Sequence, residues 1–125
     1  MRRMIAAILA LPTVLNGLMM LLAGPNWYAR VPGADETGPY NPHFVQDIGA
    51  AFLVAGLALA VRAWRPMYWA AAVAGASFLT AHAVIHLATI VAGHDHHAAF
   101  DLAAVVLPSV LALYSAFPNK GEYHA

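Results

Sequence analysis

Apolar residues run along this chain in four long blocks: Met4–Leu22, about Val45–Val61, Met67–Val91 and Ala98–Phe117. None shows the polar stripe at helical spacing that marks a surface helix of a soluble domain. Each is near the ~20 residues a helix needs to cross about 30 Å of hydrocarbon. The pattern predicts an all-α fold: a four-helix transmembrane bundle in a single integral membrane domain. Short connections join the spans, apart from an outer loop over 24–42 that is rich in proline, glycine and aromatic residues. Pro12 and Pro108 fall inside spans one and four and predict a kink near each.

Arg2 and Arg3 precede the first block as they would in a secretion signal. Its apolar run is longer than the usual ~7–15 residues, however, and Leu22-Ala23-Gly24 is a poor cleavage site, so a retained helix is expected. Arg2, Arg3, Arg62, Arg65 and Lys120 fall on one side of an up-and-down arrangement, and Arg30 alone falls on the other. The positive-inside rule then places both termini and the Arg62–Pro66 turn in the cytoplasm. The 24–42 loop and the Gly93–His97 turn face out, which in a bacterial inner membrane means the periplasm. Trp27, Tyr28 and Tyr40 on one side, and Trp64, Tyr68 and Trp69 on the other, suit interfacial belts. Small residues allow helices to approach in lipid; span two offers Gly49, Ala50, Gly56 and Ala60, and span three offers Ala71, Ala74, Gly75 and Ala81.

Composition sharpens the picture. The chain is 62% hydrophobic and 10% charged, against about 45–50% and 25% in soluble domains. That argues against both a soluble enzyme and a disordered segment. Six basic residues balance six acidic ones, so no basic surface points to nucleic acid. The absence of cysteine excludes disulfides, thiolate metal sites and cysteine nucleophiles. Nucleotide-binding glycine loops and the GxSxG elbow are missing as well. Seven histidines remain as candidate chemistry.

Three spans carry an ionisable pair at i, i+4 near their outer ends: His43/Asp47, His82/His86 and His97/Asp101. Residues four apart stack on one helix face, so each pair can aim two donor atoms at one point. At about 1.5 Å per residue, Asp47, His86 and Asp101 fall at one level, with His43 and His97 above and His82 below. Ionisable groups in a span cost a few kcal/mol and usually mark function. Imidazole and carboxylate donors without thiolates suit a transition metal ion: Zn, Fe or Cu. Ala83 follows His82, so the HExxH metalloprotease pattern is absent.

Simpler roles compete with ligation. His82 and His86 can hydrogen-bond Thr80, Thr89 or Asn16 between helices, and Asp47 and Asp101 can serve as first-turn carboxylates favoured by the helix dipole. The His94-Asp95-His96-His97 turn reads either as a solvated connector or as a capture site feeding deeper ligands. His124 reads as a tail residue, and Met19 and Met20 as packing residues before thioether ligands.

The plan resembles the DoxX-like group of small four-helix bacterial membrane proteins. The features that carry this are the Asn16-Gly17 pair in span one, a loop beginning near Gly24-Pro25, and a span opening Asp47-Ile48-Gly49. The resemblance covers most of the chain and rests on architecture; it implies a four-helix fold and a link to membrane redox or quinone-associated complexes. The group's arginine-glycine and glycine-lysine signatures are replaced here by NPHFVQDIG and HAVIH, and no site residue is carried over.

The leading expectation is a metal-binding membrane protein, with His43, Asp47, His82, His86, His97 and Asp101 as ligands and metal-dependent oxidation or metal-assisted hydrolysis as candidate reactions. One alternative is a haem b or quinone electron-transfer subunit, with His86 or His82 paired to His43 or His97. Another is a non-catalytic accessory subunit. The lipid bilayer is the expected partner, with a homo-oligomer or a larger membrane complex as further candidates.

Overall fold

The computed structural model describes residues 1–94, 96–119 and 121–122. Asp95, Lys120 and His124 of the sequence reading lie outside the described residues. Four helices are long and apolar enough to cross a membrane. The first is α1 (Arg2–Leu22); the loop after it forms a short α2 (Gly24–Tyr28) and a 3-10 turn over Asp35–Thr37. The second span is α3 (Pro42–Trp64). The third is α4 (Trp69–Val91), entered through a 3-10 turn over Pro66–Tyr68. The fourth is composite: α5 (Ala98–Asp101), a π-helical turn over Leu102–Val106, and α6 (Leu107–Ala116).

Local chemistry sets these boundaries. The Asn41 side chain accepts a hydrogen bond from the Phe44 N–H at 3.1 Å, and Pro42 occupies the first turn. This N-cap starts α3 three residues before the apolar block does. Arg65 is extended (φ −135°, ψ 130°), as a residue preceding proline prefers, and α3 stops there. Helix α1 continues through Pro12. The break predicted at Pro108 takes the form of the π turn just ahead of it. A helical proline cannot bond the carbonyl four residues back and crowds it, and a wider turn relieves both.

The spans form a ring in which α1 packs on α3, α3 on α4, α4 on α6 and α6 back on α1. Small residues fill its interior: Ala6, Ala10, Ala55, Ala72, Ala76, Ala112 and Ala116, with Leu59 and Leu79. Larger side chains such as Leu15, Val54, Ile85 and Leu107 point outward and are at least half exposed. Small inside and large outside is the distribution suited to lipid, where close backbone approach drives association. The α1–α3 contact is the tightest, because a Cβ on Gly17 would stand 2.6 Å from the Leu53 nitrogen and 2.7 Å from the Gly49 carbonyl oxygen. The interface uses a different set of alanines from those expected: Ala50, Ala71, Ala74 and Ala81 are exposed, while Ala55, Ala72, Ala76 and Ala83 are buried.

Arginines tie one end of the ring together. Arg62 is fully buried and donates through Nε to the Ala116 carbonyl and through Nη2 to Glu122, at 3.2 and 2.7 Å. Arg2 donates to the carbonyls of Phe117 and Pro118, and Arg3 to those of Ala63 and Trp64. Cations thus meet the unsatisfied carbonyls that end α3 and α6, where the helix dipole is negative. At the opposite end, the Trp27 indole N–H donates to Asn16 Oδ1 at 2.9 Å, and Tyr28 donates to the Gly38 carbonyl. The loop after α1 is therefore packed onto that helix and onto itself.

Candidate histidine and carboxylate site

Helix α4 is unbroken past both histidines, so His82 and His86 share a face, with ring centroids 4.6 Å apart. From α5, Asp101 reaches the same place: its Oδ2 accepts a hydrogen bond from Nδ1 of His86. Asp101 is only 6% exposed. Because a carboxylate only accepts, Nδ1 carries the hydrogen of this bond, which in a neutral ring leaves Nε2 as the nitrogen with the lone pair. His82 lies one turn deeper and is walled by aromatics, edge-on to Phe52 at 5.4 Å and stacked with Phe78 at 6.3 Å. On the same helix, towards the arginine end, come the buried Leu79, Ala76 and Ala72. Phe52 also lines a cavity of about 160 Å³ bounded by Pro12, Thr13, Asn16 and Pro108.

The hydroxyls and amide named as simpler partners are engaged elsewhere. Thr80 donates to the Ala76 carbonyl and Thr89 to the His86 carbonyl, both at 2.8 Å. Asn16 accepts from Trp27 and faces Met20 Sδ at 3.7 Å.

The six predicted ligands divide into three groups. His82, His86 and Asp101 form one connected chain across α4 and α5. His43 and Asp47 pair with each other at 3.6 Å on α3, with side chains 88% and 65% exposed. His97 Nε2 lies 3.2 Å from Oε1 of Glu36 in the loop after α1, and Gly33 packs close by, since a Cβ there would sit 3.4 Å from the His97 ring. His94 and His96 are exposed. Among the described residues, no three histidine, aspartate or glutamate side chains are set to hold one metal ion.

Sequence reasoning missed Glu36, Phe52 and Phe78. Phe78 sits four residues before His82, a helical spacing that signals the contact. Glu36 is separated from His97 by 61 residues and a whole hairpin, and carries no such signal. Comparison with family models, with curated proteins and with solved structures gives no match to this chain.

Proposed function

We propose that this is an integral membrane protein that binds a transition metal ion at the Asp101–His86–His82 chain, on the side of the bundle away from Arg2, Arg3, Arg62 and Arg65. The observation that carries the reading is the bond between buried Asp101 and Nδ1 of His86. A carboxylate on one ring nitrogen is the arrangement that fixes a ligating imidazole and raises its basicity. It leaves Nε2 of His86 as a donor, and His82 supplies a second imidazole one turn away. Zn, Fe or Cu suits such donors, with the remaining positions filled by water or substrate. The apolar run Leu79, Ala76 and Ala72 beyond His82 favours a blind binding site over a path through the bilayer.

A second reading, in which the same chain takes up only a proton, is favoured by one fact. No third ligand side chain is gathered there among the described residues. Clustering of Arg2, Arg3, Arg62 and Arg65 at one end favours a cytoplasmic location for that end. The site then faces outward, towards the periplasm if the membrane is a bacterial inner membrane. The DoxX-like resemblance supports a membrane setting of this kind.

The test is elemental analysis of tag-free protein in detergent, beside a His82→Ala/His86→Ala variant, with ¹⁵N-histidine spectra before and after metal addition. Metal near one equivalent in the parent, lost in the variant, and a shifted His86 Nε2 signal are expected. No metal after purification or reconstitution, with imidazole signals that respond only to pH, would overturn metal binding in favour of the proton reading. Imidazoles indifferent to both would sink the two together.

A further inference from the structure

Each span presents an exposed stripe to its surroundings, and on α1, α4 and α6 those stripes are apolar or carry hydroxyls bonded to their own helix, apart from Arg3 and Tyr114 at the arginine end. Ser77 and Thr89 are examples, donating to the carbonyls of Val73 and His86. Helix α3 differs. Its stripe runs His43, Asp47, Ala50, Val54 and Leu57, all exposed, then half-buried Val61 and exposed Trp64. The steps alternate between four and three residues, the spacing at which two helices wrap along a common seam. Two ionisable side chains occupy the outer end of that seam.

Asp47 stands more than a turn inside α3, with its side chain 65% exposed and His43 its partner at 3.6 Å. A carboxylate facing lipid costs a few kcal/mol, and polar groups in spans generally face other protein. We propose that this face of α3 docks against a second copy of the same chain, in parallel, about a two-fold axis along the membrane normal. All copies insert the same way round, so a two-fold pairing brings equivalent depths together. A parallel two-fold sets each seam position beside its own copy and, diagonally, beside the neighbouring seam position one turn away. Asp47 thus lies within reach of His43 of the partner subunit as well as of the partner's Asp47, and the imidazoles are placed to offset the paired carboxylates, the reverse contact following by symmetry. Beneath them, Ala50 allows close approach, and Val54 and Leu57 interdigitate. An apolar partner helix would bury the imidazole and carboxylate with no partner beyond each other, and an unrelated one would have to match both charge and depth. The inference stands apart from the cation site, whose residues lie on α4 and α5.

The chain has no cysteine, so single-cysteine variants report one position at a time. Ala50→Cys, Val54→Cys and Leu57→Cys would be cross-linked in native membranes beside Leu15→Cys, Ile85→Cys and Val110→Cys, which are exposed on other helices. Dimer-sized product several-fold higher on α3 is expected. In the Val54→Cys background, Asp47→Leu should lower it several-fold, and the exchange His43→Asp/Asp47→His should restore it. Equal cross-linking on all helices, none on α3, or capture there of a different polypeptide would overturn the proposal. So would dimer that persists undiminished in Asp47→Leu.

Discussion

Asp101 on α5 accepts a hydrogen bond from Nδ1 of His86 on α4, joining two spans across the Gly93–His97 turn. Both groups are ionisable and the carboxylate is almost wholly buried, so each is the main reason the other is tolerated. The same bond orients the His86 ring and, in the neutral imidazole, sets its tautomer. Structure and candidate chemistry depend here on one contact.

Asp101→Ala removes the acceptor and leaves the His86 N–H without a partner. Interhelical polar contacts in membrane bundles contribute about 0.6–2 kcal/mol, so a loss near 1 kcal/mol is expected in reversible unfolding by SDS in mixed micelles. Asp101→Asn retains an acceptor and should lose less. Histidine ¹⁵N spectra should show a single Nδ1–H form of His86 in the parent and mixed tautomers in Asp101→Ala. An unchanged tautomer with unchanged stability would refute the contact.

Gly17 lets the backbones of α1 and α3 touch, so even one methyl group is predicted to separate them. Gly17→Ala places a Cβ within 3 Å of backbone atoms of Leu53 and Gly49, which cannot move aside as a flexible side chain would. Overpacking of this kind costs about 1–3 kcal/mol. Ala74→Leu on the exposed face of α4 is the control and should leave stability nearly unchanged. Equal effects of the two in the same unfolding assay would contradict the packing described.

The four long apolar helices were legible because blocks of apolar residues near the length of a bilayer crossing have few other uses. The i, i+4 pairs were legible for a similar reason, since helical spacing alone puts His82 beside His86. Which face of an alanine-rich helix turns inward was not legible. Small residues occur all round α3 and α4, so Ala50 and Ala74 looked as suitable as Ala55 and Ala76. Nor did a shared depth for Asp47, His86 and Asp101 reveal direction around the helix axis, and Asp47 points away from the ring interior. Arg62 served as a topological marker in the sequence, yet its side chain lies in the ring interior, because its length reaches the carbonyls ending α6.

Trp27→Phe tests the tie between α1 and the loop after it. The indole N–H is lost while most of the ring is kept, leaving Asn16 Oδ1 without its donor. A cost of about 1 kcal/mol is expected for one half-buried neutral hydrogen bond. Hydrogen exchange should quicken over residues 24–40 and stay unchanged in α4. Unaltered protection of the loop would show that other contacts, such as Tyr28 on Gly38 and the edge-to-face pair of Tyr28 and Tyr40, suffice to hold it.

The arginine end of the bundle should respond to acid through Glu122. Its carboxyl is held below the usual carboxylate range, chiefly by the Asn119 backbone N–H and, against a penalty from burial, by Arg62. A group whose folded value is depressed adds stability above its unfolded value, near 4.3, and loses that contribution as pH falls through the folded value. The clasp between Arg62 and Glu122 is therefore expected to be complete at neutral pH and to weaken only below about pH 4. Glu122→Gln should remove this acid dependence and loosen the end of α6 at neutral pH, since among the described residues Arg62 then keeps the carbonyls of Ala116 and Phe117 as partners. The measurement is exchange of the Asn119 amide against pH in both proteins. If parent and variant lose protection over the same range and to the same extent, Glu122 is not the group that titrates and the clasp rests on the helix-end carbonyls alone.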